Sequence, residues 1–215
     1  TYEHVKQASV GDHSTKGTIK WSDAYLAMAV NEKIVVTYGI QNFQWGPAEA
    51  AGPSNRIFHE NISARDLLYV TPGEHLLRVN ITPSSNWTEV LVIQPTNNGE
   101  EEITSGESFK FKSLLKSEVA WNGGANYFGL VLGYQQDYGS WIGEYGSFDI
   151  IEGLSLYADV AHQQSSSAWY PLYDTSKNAY LMGQRHKDDS RLFTYSVSGA
   201  KYAFVNGNDL RLEWI

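Results

Sequence analysis

The residues with acid–base or metal-binding chemistry form no compact motif along the chain. The six histidines show no close metal-ligand spacing, and no serine lies in a G-x-S-x-G turn. Two carboxylate pairs, Asp149 with Glu152 and Glu144 with Asp159, have the chemistry that glycoside hydrolysis needs. These pairs are expected to act only in a soluble jelly roll. No catalytic residue, cofactor or metal is therefore predicted.

A more regular pattern places charged side chains on one face of a strand. Over residues 108–121 the charged positions are Lys110, Lys112, Lys116 and Glu118. The apolar positions on the other face are Phe109, Phe111, Leu115, Val119 and Trp121. A period of two predicts a strand with one apolar and one charged face. Lysine facing lipid costs about 2–4 kcal/mol at the bilayer midplane, so in a membrane the charged face would line a lumen.

The same alternation recurs along the chain, and the segments between the runs mostly alternate in length, apart from a short connection near Asp137–Ser140. Further alternating runs cover 34–41, 75–81, 128–135, 154–161 and 193–198. Short Asn-, Gly- or Ser-containing turns are expected at 31–33, 83–85, 122–124, 152–153 and 206–208. Longer connections are expected at 45–72, 96–107 and 164–190, the last as one long loop with a hairpin-like excursion. Short turns alternating with long loops are typical of outer-membrane barrels.

The composition excludes several other classes. The chain has 215 residues, no cysteine and a formal net charge of −8, which makes it a poor binder of nucleic acid. The sequence contains no run of about 20 mostly apolar residues, so it predicts no membrane-spanning helix. Tryptophan (7) and tyrosine (14) are frequent and lie mostly near the ends of the alternating runs, as at Trp87, Trp121 and Trp141. This position predicts two interfacial girdles, although strand-end packing or sugar stacking in a lectin-like sandwich would also use such residues.

Two features resemble a known class of protein. The alternating strands, the short Asn/Gly turns and the ending at 201–212 resemble Gram-negative outer-membrane β-barrels over most of the chain. The segment Trp45-Gly46-Pro47, followed by Gly52-Pro53-Ser54-Asn55, resembles capsule-assembly (Wzi-like) and related porin-like barrels over about 20 residues. Those families are larger than this chain, and their last strand usually ends in an aromatic residue, whereas Ile215 follows Trp214 here. The resemblance implies association with surface polysaccharide.

The barrel interpretation predicts two groups of functional residues. The predicted pore-lining residues are Arg78, Lys110, Lys112, Lys116, Glu118, Asp159, Lys201, Arg211 and Glu213. The long loop from Trp45 to Pro72 is predicted to enter the lumen as a constriction or to form a binding surface, through Trp45, Arg56, His59, Glu60, Arg65 and Asp66. Three lysines against one glutamate on 108–121 would favour anions or acidic saccharides, unless these side chains pair with one another inside a plugged lumen.

The sequence therefore predicts an all-β fold, an antiparallel up-and-down transmembrane β-barrel of ten to twelve strands. Residues 1–215 would form a single domain or an incomplete portion of a larger barrel. The expected function is porin-like passive transport or surface-polysaccharide association in a bacterial outer membrane, without enzymatic activity. The expected partners are outer-membrane lipid, small solutes or saccharides, and other membrane-protein chains. The alternative is a soluble secreted β-sandwich that binds or hydrolyses carbohydrate.

Overall fold

The chain is all-β and is built around one large antiparallel sheet. The computed structural model describes residues 2–5, 16–19, 23–49, 51–57, 73–95, 111–136, 139–164, 166–185 and 191–215. Its strands are β1 (Tyr2–Val5), β2 (Lys16–Ile19), β3 (Ala24–Asn31), β4 (Ile34–Gln41), β5 (Glu74–Ser84), β6 (Trp87–Gln94), β7 (Lys112–Trp121), β8 (Asn126–Gln135), β9 (Gly139–Ile151), β10 (Leu154–Gln163), β11 (Ser166–Asp174), β12 (Ala179–Arg185), β13 (Phe193–Ala203) and β14 (Asp209–Trp214). Within these ranges, no helix is long and apolar enough to cross a membrane.

Ten strands form the main sheet in an up-and-down order. The order is β14-β13-β10-β9-β8-β7-β6-β5-β4-β3, and every neighbouring pair is antiparallel. Among the described strands, β3 and β14 are each paired on one side only. The predicted meander is therefore confirmed. The fourteen strands exceed the ten to twelve expected because β1–β2 and β11–β12 form separate two-stranded sheets.

The connections mostly alternate in length, as the sequence predicts, and the short connection between Gln135 and Gly139 is the expected exception. Five short turns, after β3, β5, β7, β9 and β13, lie at one end of the sheet, which we call the short-turn end. Asn122 and Gly153 take positive φ values of 52° and 81° in two of these turns. The connections after β4, β6, β8 and β10 lie at the opposite end. The connection after β10 contains the β11–β12 hairpin, which is the excursion expected within 164–190. Because a hairpin returns the chain to the end where it began, β13 still pairs antiparallel with β10.

The two faces of the main sheet differ sharply. On the outer face, Leu91, Leu115, Leu132 and Ile142 lie side by side across β6–β9 and are each 40–46% exposed. Exposed aromatic residues lie on this face near the strand ends: Trp87, Trp121 and Tyr202 at the short-turn end, and Tyr38 and Tyr134 at the other. The apolar surface is interrupted by Glu144 on β9 and by Ser196 and Ser198 on β13.

The inner face carries the buried side chains. Residues 42–49 and 51–57, which follow β4 and which we call the inner segment, lie against this face. Its apolar cluster joins the segment to strands β5–β9 and consists of Trp45, Ile57, Leu76, Val90, Val92, Leu114, Val131, Trp141 and Tyr145. Trp141 therefore lies on the inner face and not in the girdle that its strand-end position suggested. Its parity on β9 places it directly opposite Gly133.

Three large rings on the inner face lie over glycines of the neighbouring strand. Tyr145, Trp141 and Tyr157 are the direct cross-strand partners of Gly129, Gly133 and Gly199, respectively. A Cβ atom at Gly133 would lie 2.1 Å from Cζ2 of Trp141, and one at Gly129 would lie 2.1 Å from Cζ of Tyr145. The glycines therefore make room for the rings, which cover the bare backbone in return.

This packing predicts that Gly133→Ala lowers the free energy of unfolding by about 1–3 kcal/mol, because the added methyl group displaces the buried Trp141 ring. Gly52→Ala is the matched control, since the nearest atom to its new Cβ is 3.5 Å away. Urea unfolding in detergent micelles, followed by tryptophan fluorescence, measures the difference. Equal transition midpoints for the two variants would show that the Gly133–Trp141 contact does not limit packing.

Candidate functional site

The inner segment is shaped by two local features. Gly46 has φ +86°, a left-handed conformation that glycine adopts without strain. Gly52-Pro53-Ser54-Asn55 forms a turn closed by a 2.9 Å hydrogen bond from the Asn55 amide to the Gly52 carbonyl, with proline at its second position. Both features bring the segment's backbone close to Asp159.

Asp159 on β10 anchors the middle of the segment. Its side chain is fully buried, and its Oδ1 accepts a 2.7 Å hydrogen bond from the Ser54 amide. Its Oδ2 accepts a second bond of 3.2 Å from Ser54 Oγ. A Cβ at Gly46 would lie 2.3 Å from Asp159 Oδ2, so only glycine fits there. A buried carboxylate needs such partners to offset its lost hydration.

A second network holds the tip of the segment to β14. Arg211 Nη1 lies 2.9 Å from Glu49 Oε1 and donates a 3.1 Å hydrogen bond to the Pro47 carbonyl. Glu213 Oε1 accepts hydrogen bonds from the Glu49 amide and from the Tyr157 hydroxyl, at 2.9 and 2.8 Å. These contacts join the segment to strands more than 100 residues away in sequence.

A third network joins β7 and β9, the two strands on either side of β8. Lys116 Nζ and Glu118 Oε2 are 3.0 Å apart, and the Tyr145 hydroxyl donates a 2.5 Å hydrogen bond to the same glutamate oxygen. Lys116 is 5% exposed and Tyr145 is 2% exposed. The lysine charge is therefore neutralised locally. This pairing weakens the expectation that strand β7 forms a cationic wall.

The structure places the described members of the predicted pore-lining set together on the inner face. These are Arg78, Lys112, Lys116, Glu118, Asp159, Lys201, Arg211 and Glu213. Of the predicted loop residues, Trp45 is buried in the apolar cluster, and Arg56 lies with Cζ 5.9 Å from the centre of the Tyr195 ring. Lys110, His59, Glu60, Arg65 and Asp66 lie outside the described residues.

The two carboxylate pairs considered for hydrolysis do not converge on one site. Glu144 and Asp159 lie on adjacent strands but on opposite faces, because Asp159 pairs with Tyr145 and Glu144 pairs with Val160. Glu152 lies exposed in the turn after β9, whereas Asp149 accepts a 2.6 Å hydrogen bond from Ser155 on the inner face.

A cavity of about 500 Å³ lies between the inner segment and the sheet, on the short-turn side of Asp159. Its wall residues Tyr127, Ser147, Ser155 and Tyr157 were not predicted from the sequence. Alternation over 154–161 placed Ser155 and Tyr157 on the face of Asp159, but nothing in the pattern indicated that a segment more than 70 residues earlier would complete the wall. No protein-family model, curated protein or solved structure matches the chain, so the chemistry of this site follows from its own geometry.

Proposed function

We propose that the chain is an outer-membrane β-barrel, narrowed by the inner segment, through which small polar solutes pass passively. The observation that carries this proposal is the contrast between the faces of the main sheet. The outer face exposes an apolar band with aromatic residues near both ends, whereas charged and polar side chains lie on the inner face. Lipid is the environment that stabilises such an outer face.

The sheet edges support closure of the barrel. Strand β3 runs toward the short-turn end and β14 runs away from it, so pairing of these two edges would be antiparallel. All eight residues of β3 are exposed, and Leu26 reaches 77%. Pairing would give ten strands, an even number as in bacterial barrels, and would satisfy the backbone groups that an open edge leaves unpaired.

The inner face supports a hydrated lumen. Several buried polar atoms on this face have no hydrogen-bond partner among the described residues, namely Gln41 Oε1, Arg78 Nε, Asn80 Oδ1, Gln94 Oε1, Trp141 Nε1 and Gln163 Nε2. Buried polar groups are normally paired with protein or with ordered water. Because these atoms are closed to solvent in this arrangement, they mark a polar inner face that would have to open for water to pair with them.

Solute entry into vesicles tests this function. Proteoliposomes containing the folded chain are expected to swell in iso-osmotic glucose and to swell more slowly in raffinose, because the inner segment narrows the path. The control is protein that was heat-unfolded before reconstitution. A chain that remains soluble in buffer without detergent would contradict the proposal. So would a chain that inserts into vesicles but does not let glucose enter them.

Association with surface polysaccharide is a second candidate function. The β11–β12 hairpin lies in a connection at the end opposite the short turns, which would face outward in a barrel. It exposes the cross-strand pair Tyr173 and Tyr180, whose rings are 5.2 Å apart. Exposed aromatic faces suit sugar stacking, and this pair is the observation that favours the role.

A further inference from the structure

The cavity beside the inner segment has the walls of a ligand site. Its volume of about 500 Å³ falls within the range of about 300–1,000 Å³ typical of small-molecule pockets. One wall comes from the inner segment and the other from β8, β9, β10, β13 and β14. Aromatic side chains Trp45, Tyr127 and Tyr157 contribute to the walls.

The charges around the cavity are paired with one another. Lys201 Nζ lies 2.8 Å from Asp209 Oδ2, and Arg211 is held by Glu49. Glu213, on the same strand as Arg211, accepts a hydrogen bond from the Tyr157 hydroxyl. The Lys201–Asp209 pair is solvent-exposed and therefore weak. Arg211 lies near two carboxylates, Glu49 and Glu213, so the wall carries more negative than positive charge and disfavours an anionic ligand.

Two neutral hydroxyls at the wall, those of Ser147 and Tyr127, remain available for hydrogen bonding. Ser147 is 9% exposed, and its hydroxyl has no hydrogen bond to any described residue. The Tyr127 hydroxyl likewise has no partner within the described ranges, and its ring packs against Tyr145 with centroids 6.2 Å apart. Neither hydroxyl is among the fully buried unpaired atoms, so both are open to the cavity, where a ligand can pair with them.

We propose that this cavity binds a neutral saccharide. This inference rests on the proposed function, because binding would be one step in the passage of the solute. Aromatic rings would pack against the sugar's apolar faces, while the hydroxyls of Ser147 and Tyr127 would bond to its hydroxyl groups. The excess of carboxylates over cations at this wall selects against acidic sugars. This differs from the preference for anions that the lysines of residues 108–121 suggested.

Calorimetric titration of the full chain, folded in a detergent without a sugar headgroup, tests the site. The probes are maltose, glucose, glucuronate and acetate. Maltose is expected to bind, with glucuronate at least tenfold weaker. Ser147→Val is expected to weaken maltose binding at least tenfold, whereas Ser198→Val, on the outer face, leaves it unchanged. Tyr127→Phe, which removes only a hydroxyl, is a second variant with little risk to folding.

Each outcome can be assigned. A chain that admits glucose into vesicles but binds neither maltose nor glucose overturns the saccharide site and leaves the barrel proposal standing. Glucuronate or acetate binding more tightly than maltose overturns the neutral preference. Equal maltose affinities for Ser147→Val, Tyr127→Phe and wild type overturn the assignment of the hydroxyls.

Discussion

Replacing Leu132 with arginine is expected to lower the free energy of unfolding in lipid vesicles by about 2–4 kcal/mol. Leu132 lies on the outer face, well inside β8, between Leu115 and Ile142. Its side chain is 46% exposed. If that exposure is to water, as in a soluble sandwich, the same substitution should change stability by only about 0.5 kcal/mol or less.

Ile151→Arg is the matched control for this prediction. Ile151 is also an exposed apolar residue, but it lies at the end of β9 beside the turn at Glu152 and Gly153. Arginine near the membrane interface costs only about 0–1 kcal/mol. Urea unfolding in vesicles gives both values. A Leu132→Arg variant as stable as Ile151→Arg would place the outer face in water and favour the soluble carbohydrate-binding alternative.

Replacing Asp159 with alanine is expected to release the inner segment and to raise single-channel conductance in planar bilayers. The substitution removes the acceptor of both the Ser54 amide and the Ser54 hydroxyl at a fully buried position. Leaving a buried donor unpaired costs about 1–3 kcal/mol, so the variant should also unfold at a lower urea concentration. The lumen is expected to widen because Gly46 and Ser54, both in the inner segment, contact this carboxylate, and its removal takes away the segment's anchor.

Two variants control for this effect. Asp159→Asn keeps an oxygen acceptor for the Ser54 amide and should raise conductance less. Asp149→Ala removes an inner-face carboxylate that accepts a hydrogen bond from Ser155 and has no role in holding the segment. If Asp159→Ala conducts no more than Asp149→Ala, the segment either stays in place without Asp159 or does not narrow the path.

The sequence predicted the faces of the sheet better than it predicted what covers them. Alternation correctly separated Leu132 from Gly133 and Lys116 from Leu115, because strand geometry sends successive side chains to opposite faces. The turns after β3, β7, β9 and β13 followed from residues such as Gly153 that accept positive φ. The connection between β10 and β13 was correctly expected to contain a hairpin.

The inner segment shows where sequence reasoning stops. The length of the loop from Trp45 to Pro72 and the Trp45-Gly46-Pro47 stretch suggested its importance, but the bond from Ser54 to Asp159 joins residues 105 positions apart. No local periodicity encodes such a contact. Trp141 was assigned to an interfacial girdle because it lies near a strand end. Its parity on β9 instead places the ring on the inner face, over the facing glycine on β8.

Gel mobility of the detergent-folded chain, with and without boiling in SDS, tests the central claim most directly. A closed ten-stranded barrel resists SDS until it is heated, because every strand is paired on both sides. We expect unboiled protein to migrate as a compact band and boiled protein to shift to the mobility of the unfolded 24.1 kDa chain. Identical mobilities, from a chain that is soluble without detergent, would contradict the membrane barrel.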